Sequence, residues 1–189
     1  GLRMFTTHFA CMLVNAYVVW DPQTAEGIIF DTGAEADEML QFVRSEGISI
    51  SRILLTHSHH DHVAELNRVK TATGAGAFIA EAEPLSGAGS FNGGDRFGAG
   101  GLRVDTRKTI GHSPGGTTFV VSGLERSVAV VGDAVFAGSM GGGRHSYQQA
   151  LDTNRSQVMT LDDETILCPG HGPMTTVGQE RVANPFFHE

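Results

Sequence analysis

The sequence predicts a layered fold of mixed strands and helices, of the α/β or α+β kind. Three observations predict it. Short apolar runs of strand length alternate with segments of helical periodicity. Glycine supplies 25 of the 189 residues while Phe and the aliphatics stay plentiful, which marks many tight turns and not disorder. Run after run also ends in His or Asp, at Asp31, His57, His112, Asp133 and His171. The length suits one well-buried core and is too short for two ordinary enzyme domains, so residues 1–189 are read as a single domain.

The elements follow in order. Residues 12–19 are apolar on nearly both faces, as in a central strand. Asp21-Pro22-Gln23-Thr24 is turn chemistry, and residues 27–30 form a second strand that ends in Asp31-Thr32-Gly33. Over 34–46, Ala36, Met39, Leu40 and Val43 share a helical face, with Gly47 as the stop. The apolar run 52–56 leads straight into His57-Ser58-His59-His60-Asp61-His62. A helix is expected over 63–70 and a small strand over 77–80. Residues 84–101 read as a glycine-rich surface loop that turns into short strands at 95–97 and 102–105. Strands at 117–122 and 127–131 pair around Gly123, and the second ends in Gly132-Asp133. A glycine loop at 138–143 precedes a helix at 147–159. A last strand at 165–168 ends in Pro169-Gly170-His171-Gly172.

Thirteen Lys+Arg against 21 Asp+Glu leave a net charge of −8, and no basic cluster offsets it, which argues against a nucleic-acid partner. The longest early apolar stretch, Phe9 to Trp20, includes Asn15 and falls short of the ~20 residues that a membrane-spanning helix needs. Cys11 and Cys168 have no CxxC spacing; two buried thiols in a reducing compartment is the reading, with one disulfide as the alternative. The expected location is the cytoplasm.

The densest chemistry lies in residues 57–62. In an extended segment His57 and His59 point the same way and reach one metal. If the chain then turns into a helix, Asp61 and His62 swing toward a neighbouring position. Three imidazoles and a carboxylate packed together are costly without a cation, whereas a surface His tract would not follow an apolar strand so directly. Imidazole and carboxylate without thiolate suit Zn, Fe or Mn, with Zn the default, and the absence of cysteine points to an open catalytic site. His112, Asp133 and His171, each a weak signal alone, complete a set for two metals. Asp133 follows the apolar run 127–131, so a bare carboxylate there would be strongly disfavoured unless it faced positive charge. Two divalent ions ~3.5–4 Å apart share a water and lower its pKa toward ~7.

The order HxHxDH, GHSPG, GD and PGHG resembles the metallo-β-lactamase superfamily over nearly the whole chain, with Asp31-Thr32-Gly33 as its first motif. Within it, residues 170–186 (GHGPMTTVGQERVANPF) are similar to the short bacterial glyoxalase II-like, or hydroxyacylglutathione hydrolase-like, proteins. The resemblance implies an α+β fold, a four-layer αβ/βα sandwich with the metals at one edge. It implies His57, His59 and His112 on metal 1, Asp61, His62 and His171 on metal 2, and Asp133 as the bridge. Asp61 and Asp133 are then the catalytic carboxylates, and Asp31 is a buried carboxylate behind the ligands. His60 falls at a variable position, and His8 and His188 are read as solvated. The implied activity is hydrolysis of a small anionic thioester, S-D-lactoylglutathione or a related acylthiol, by a metal-bridging hydroxide.

Gly116 stands where the family often has His, and the loop 138–144 is a glycine-expanded form of a family Gly-x-Gly-Arg loop. Longer relatives carry a C-terminal helical domain with basic residues for glutathione, whereas this sequence runs to Glu189 without one. Arg144 is the candidate for a substrate carboxylate, since its planar fork suits one; a merely solubilising Arg is the alternative. Three rival readings share the ligand pattern: a mono-iron persulfide dioxygenase, a lactonase or β-lactamase-type hydrolase, and a non-catalytic metal-bound module.

Overall fold

Alternation along the strands builds the molecule outward from its middle. In the computed structural model, which describes residues 1–188, the first sheet holds β1 (Leu2–Phe9), β2 (Met12–Trp20), β3 (Glu26–Phe30), β4 (Ser49–Leu54), β5 (Gly76–Ala80) and β6 (Gly89–Phe91), in that spatial order. β1 to β3 pair antiparallel, and β3 to β6 pair parallel. The second sheet comprises β7 (Arg96–Ala99), β8 (Leu102–Lys108), β9 (Thr117–Ser122) and β10 (Val128–Gly132), followed across the sheet by two later strands. After β10 come a small hairpin, β11 (Val135–Phe136) with β12 (Ser139–Met140), then β13 (Ile166–Pro169) and β14 (Thr175–Thr176). The order across the second sheet is β14-β13-β10-β9-β8-β7.

Helices α1 (Asp37–Ser45), α2 (His60–Val63) and α3 (Leu66–Thr73) follow strands of the first sheet. Helices α4 (Tyr147–Gln157) and α5 (Val177–Ala183) follow the β11–β12 hairpin and β14. With a period of two, Ala16 and Val18 of β2, Ile29 of β3 and Ile53 of β4 pack with Met39, Leu40, Val43, Leu66 and Val69 of α1 and α3. Their neighbours Tyr17, Val19, Ile28, Phe30 and Leu54 face the other sheet and meet Val104, Phe119, Val121, Val128 and Val130. Ala129 and Val131 of β10 and Leu167 of β13 point outward again, to Ala150 of α4 and Val177 of α5. Three apolar layers thus lie between four layers of elements, the expected α+β sandwich. Phe30, Leu54 and Phe119 in the middle layer are fully buried, each contributing about 1.5–3 kcal/mol by burial.

Most expected elements occur within a few residues of their expected limits, and the differences have physical reasons. β1 was not expected: only Phe5 of its eight residues is buried, because it is an edge strand with one solvated face. β6 lies inside the region read as loop and owes its three residues to pairing with β5. The helix expected over 63–70 is two helices, α2 and α3, and begins earlier, at His60. The glycine loop contains β12, and α5 lies where no helix was expected. Cys168 is buried, but Cys11 is exposed in the β1–β2 turn, which corrects the expectation of two buried thiols; both are free. Among the described residues, no helix is long and apolar enough to cross a membrane.

Candidate metal centre

Five strand ends converge at one edge of the sandwich. Asp31 follows β3, His57 follows β4, His112 follows β8, Asp133 follows β10 and His171 follows β13. Asp61 and His62 lie on α2, the helix into which the histidine segment turns. Candidate ligand atoms of His57, His59, His112 and Asp133 all lie within 4.8 Å of one another, and those of Asp61, His62 and His171 form a second such group. The structure therefore brings together all seven residues singled out from the sequence. His60 stays outside, its ring 5.4 Å from that of Phe9, and His8 and His188 are exposed.

One buried carboxylate orients a ring in each group. Asp31 has a left-handed backbone (φ 55), which Asp tolerates better than most residues. Its Oδ1 accepts from the Thr56 amide at 2.8 Å. Its Oδ2 accepts from Thr56 Oγ1 and lies by His62 Nδ1, both at 2.8 Å. Thr56 Oγ1 in turn lies 3.0 Å from His57 Nδ1. Protons on both Nδ1 atoms satisfy every group and leave Nε2 of His57 and of His62 with free lone pairs. His62 is also held by its carbonyl, which accepts from the Thr32 amide at 2.8 Å. Main-chain carbonyls orient two more rings: Gly142 O lies 2.9 Å from His112 Nδ1, and Leu13 O lies 2.5 Å from His171 Nδ1. His59 turns Nδ1 inward, 3.0 Å from Nε2 of both His57 and His112.

Asp133 faces both groups. Its Oδ2 lies 3.2 Å from His112 Nε2 and 3.4 Å from His171 Nε2, and its Oδ1 lies 3.3 Å from His62 Nε2. Asp61 Oδ2 is 3.4 Å from His171 Nε2. His62 Nε2 and Asp133 Oδ1 are buried and meet no well-formed hydrogen bond, only each other at 3.3 Å, so a cation between them would offset the cost of their burial. Imidazole nitrogens and carboxylate oxygens without thiolate fit Zn, Fe or Mn. Gly170 lets the groups close up, since a Cβ there would stand 2.3 Å from Asp133 Oδ1.

The electrostatics divide the groups. Burial, reinforced by the neighbouring His62, pushes the pKa of His57 well below the usual imidazole range, and burial with His112 lowers that of His59. Burial also opposes the charged form of His62, but Asp31 and Asp133 outweigh it and raise that pKa to about 10. Asp133 raises His171 as well, against its partial burial. Burial works against the Asp133 carboxylate, yet His112, His171 and His62 hold it far below the usual carboxylate range.

Two supports escaped the sequence reading. Glu83 is buried and accepts from the Ser58 amide at 2.6 Å and the Gly115 amide at 2.8 Å, tying the His57–His59 segment to the loop after His112. Its signal was faint, one of two acids, Glu81 and Glu83, just beyond the strand over 77–80. Asn15 donates to the carbonyls of Pro169 and Gly172 at 3.0 and 2.8 Å, and Tyr17 Oη donates to Pro169 at 2.6 Å; together they fix the His171 loop to β2. Above the ligands opens a cleft of about 450 Å³, walled by Phe9, Met12, Phe136 and the glycine loop, with exposed Arg144 at its margin.

A two-sheet sandwich with His and Asp clustered at its edge is a fold whose edge could hold metal ions. The chain belongs to the metallo-beta-lactamase superfamily, whose sequence profile matches residues 10–171. It is 29% identical to the hydroxyacylglutathione hydrolase GloC of Haemophilus influenzae, over 92% of each chain. Among solved structures, the BLEG-1 B3 metallo-beta-lactamase superposes with a TM-score of 0.82 at 24% identity, over 99% of this chain and 100% of that one. A di-iron-bound form of TTHA1623 superposes with a TM-score of 0.77 at 25% identity, over 96% of this chain and 99% of that one.

Proposed function

We propose that the chain is a binuclear metal-dependent hydrolase of thioesters, with S-D-lactoylglutathione or a related small anionic acylthiol as substrate. The observation that carries this reading is Asp133, one carboxylate in contact with histidines of both ligand groups. In this reading His57, His59, His112 and Asp133 would hold one ion, and Asp61, His62 and His171 a second, with Asp133 within reach of both groups. Bound there, two divalent ions would supply Lewis acidity toward the attacked carbonyl and a water acidic enough to act as nucleophile near neutral pH. The chain's own residues set the geometry. Asp31 and Thr56 keep the Nε2 lone pairs of His62 and His57 aimed inward, and Asp61 and Asp133 neutralise the cations. Phe9, Met12 and Phe136 keep water from the apolar side of the cleft. Arg144 offers its guanidinium to a substrate carboxylate. The thioester assignment draws on the similarity to the H. influenzae hydroxyacylglutathione hydrolase and on the Arg144 guanidinium beside an apolar wall.

The test is elemental analysis of purified protein, followed by assay of the same sample against thioester, lactone, β-lactam and persulfide substrates. The reading expects two ions per chain, Zn first and Fe or Mn as alternatives, with the thioester turned over fastest. One Fe per chain with oxygen uptake on a persulfide would overturn it.

A further inference from the structure

The C-terminal stretch 170–186 stands out in the sequence, yet the metal centre uses only its Gly170 and His171. The rest includes β14 and α5, and α5 with Asn184 at its C-terminal cap buries two polar side chains, Glu180 at 3% and Asn184 at 0% exposure. A buried carboxylate is costly unless its lone pairs are met, and here they are. Glu180 Oε1 accepts from Thr175 Oγ1 at 2.6 Å, and Oε2 accepts from Asn184 Nδ2 at 2.7 Å. The third donor is the amide of Gly138, at 2.9 Å, in the turn between β11 and β12. Asn184 Nδ2 reaches the same hairpin, donating to Ser139 O at 2.8 Å and Phe136 O at 3.4 Å. Two side chains of one helix thus hold three main-chain groups of a hairpin whose strands are only two residues each. Strands that short have little stability of their own.

The other side of that hairpin faces the cleft. Phe136 lines it, with its ring 5.8 Å from that of His171. Immediately beyond β12, Gly141 and Gly142 form more of the wall, and Gly142 O orients His112. Glycines restrict the backbone little, so the position of this wall depends on what anchors the hairpin before it.

We propose that Glu180 and Asn184 are positioning residues: a polar latch on α5 that fixes the β11–β12 hairpin and, through Phe136 and the glycine loop, sets how the cleft receives its substrate. An apolar anchor would serve bare stability as well or better. A polar latch fixes direction, because each bond aims a particular carbonyl or amide. The inference rests on the reading that this cleft binds the thioester.

The test uses the metal-loaded full chain and two readouts, one of which needs no substrate. Asn184→Ala and Glu180→Ala remove the latch. Glu180→Gln keeps it, because the amide oxygen accepts from Gly138 and Asn184 while its NH2 donates to Thr175 Oγ1. Amide hydrogen exchange over residues 134–144 should accelerate about tenfold in both Ala variants, with β2 and β4 unchanged, and should stay near wild type in Glu180→Gln. KM for S-D-lactoylglutathione should rise about tenfold in the Ala variants with kcat altered far less. Unchanged local exchange overturns the latch, and faster exchange with unmoved KM overturns its positioning role. If wild-type protein does not turn over the thioester, the functional reading fails while the exchange readout still judges the latch. If the Ala variants do not fold, the wild-type amides decide: exposed Gly138 should exchange at least about tenfold more slowly than its neighbour Ala137. Equal rates would overturn the proposal.

Discussion

Residues 57–62 deliver four of the seven candidate ligands from one segment, whereas His112, Asp133 and His171 come singly from the ends of β8, β10 and β13. The two regions are also held differently. Side chains orient the contiguous segment, with Asp31 and Thr56 behind His62 and His57. The scattered histidines are oriented by carbonyls, Gly142 O behind His112 and Leu13 O behind His171. A ring held by a side chain is released by one substitution. A ring held by the main chain is released only when the fold around it moves. The contiguous segment is therefore the vulnerable half of the site, although it is the richer in ligands.

Asp31→Ala should break that half most severely. It strips the partner from His62 and Thr56 in a buried place, so a stability loss of about 3–5 kcal/mol is expected in urea unfolding, with at most one ion retained per chain. Wild-type stability and two ions would contradict the comparison. Thr56→Val removes the link to His57 and one of the bonds to Asp31, but leaves Asp31 on His62. Metal affinity should fall ~10–100-fold, measured by competition with a chelator, while His112 and His171 keep their carbonyl partners.

Proton release sharpens the contrast between the two ligand groups. Without metal His62 carries a proton at pH 7, since its pKa is about 10, and His57 does not. A cation must displace the proton from His62 Nε2, so affinity at the second group rises with pH until that pKa is passed. Titration calorimetry in buffers of different ionisation enthalpy should report proton release on filling that group. Binding of both ions with no release would contradict the assignment. The smallest effect is expected outside both regions. Arg144→Ala should leave metal content alone and raise KM for an anionic thioester by about fivefold, as suits an exposed charge; an unchanged KM would remove Arg144 from the site.

The same contrast explains what could be read in the sequence. His57 to His62 are adjacent, so their chemistry is visible without a fold, and each later candidate sits at the end of an apolar run that marks a strand. Glu83 and Thr56 carry no such mark, because their roles arise from amides and rings distant in sequence. β1 was hidden by its solvated face, and β6, β11 and β12 by strands of two or three residues that exist through pairing. α5 did have a local signal, a Thr at its start with Gln three residues later: Thr176 Oγ1 accepts from the Gln179 amide at 3.2 Å. The flanking glycines and prolines masked it. Cys11 lies just before an apolar run but occupies the turn, where nothing covers it.

The central claim is that Asp133 joins two metal positions, and metal stoichiometry in Asp133→Asn tests it most directly. A turn Asp would tolerate the amide, at a cost of at most about 1 kcal/mol. Between two dications the change removes the shared negative charge. The account predicts two ions per chain in the wild type and loss of both metal occupancy and hydrolysis in the variant. Two retained ions with near-normal turnover would contradict it.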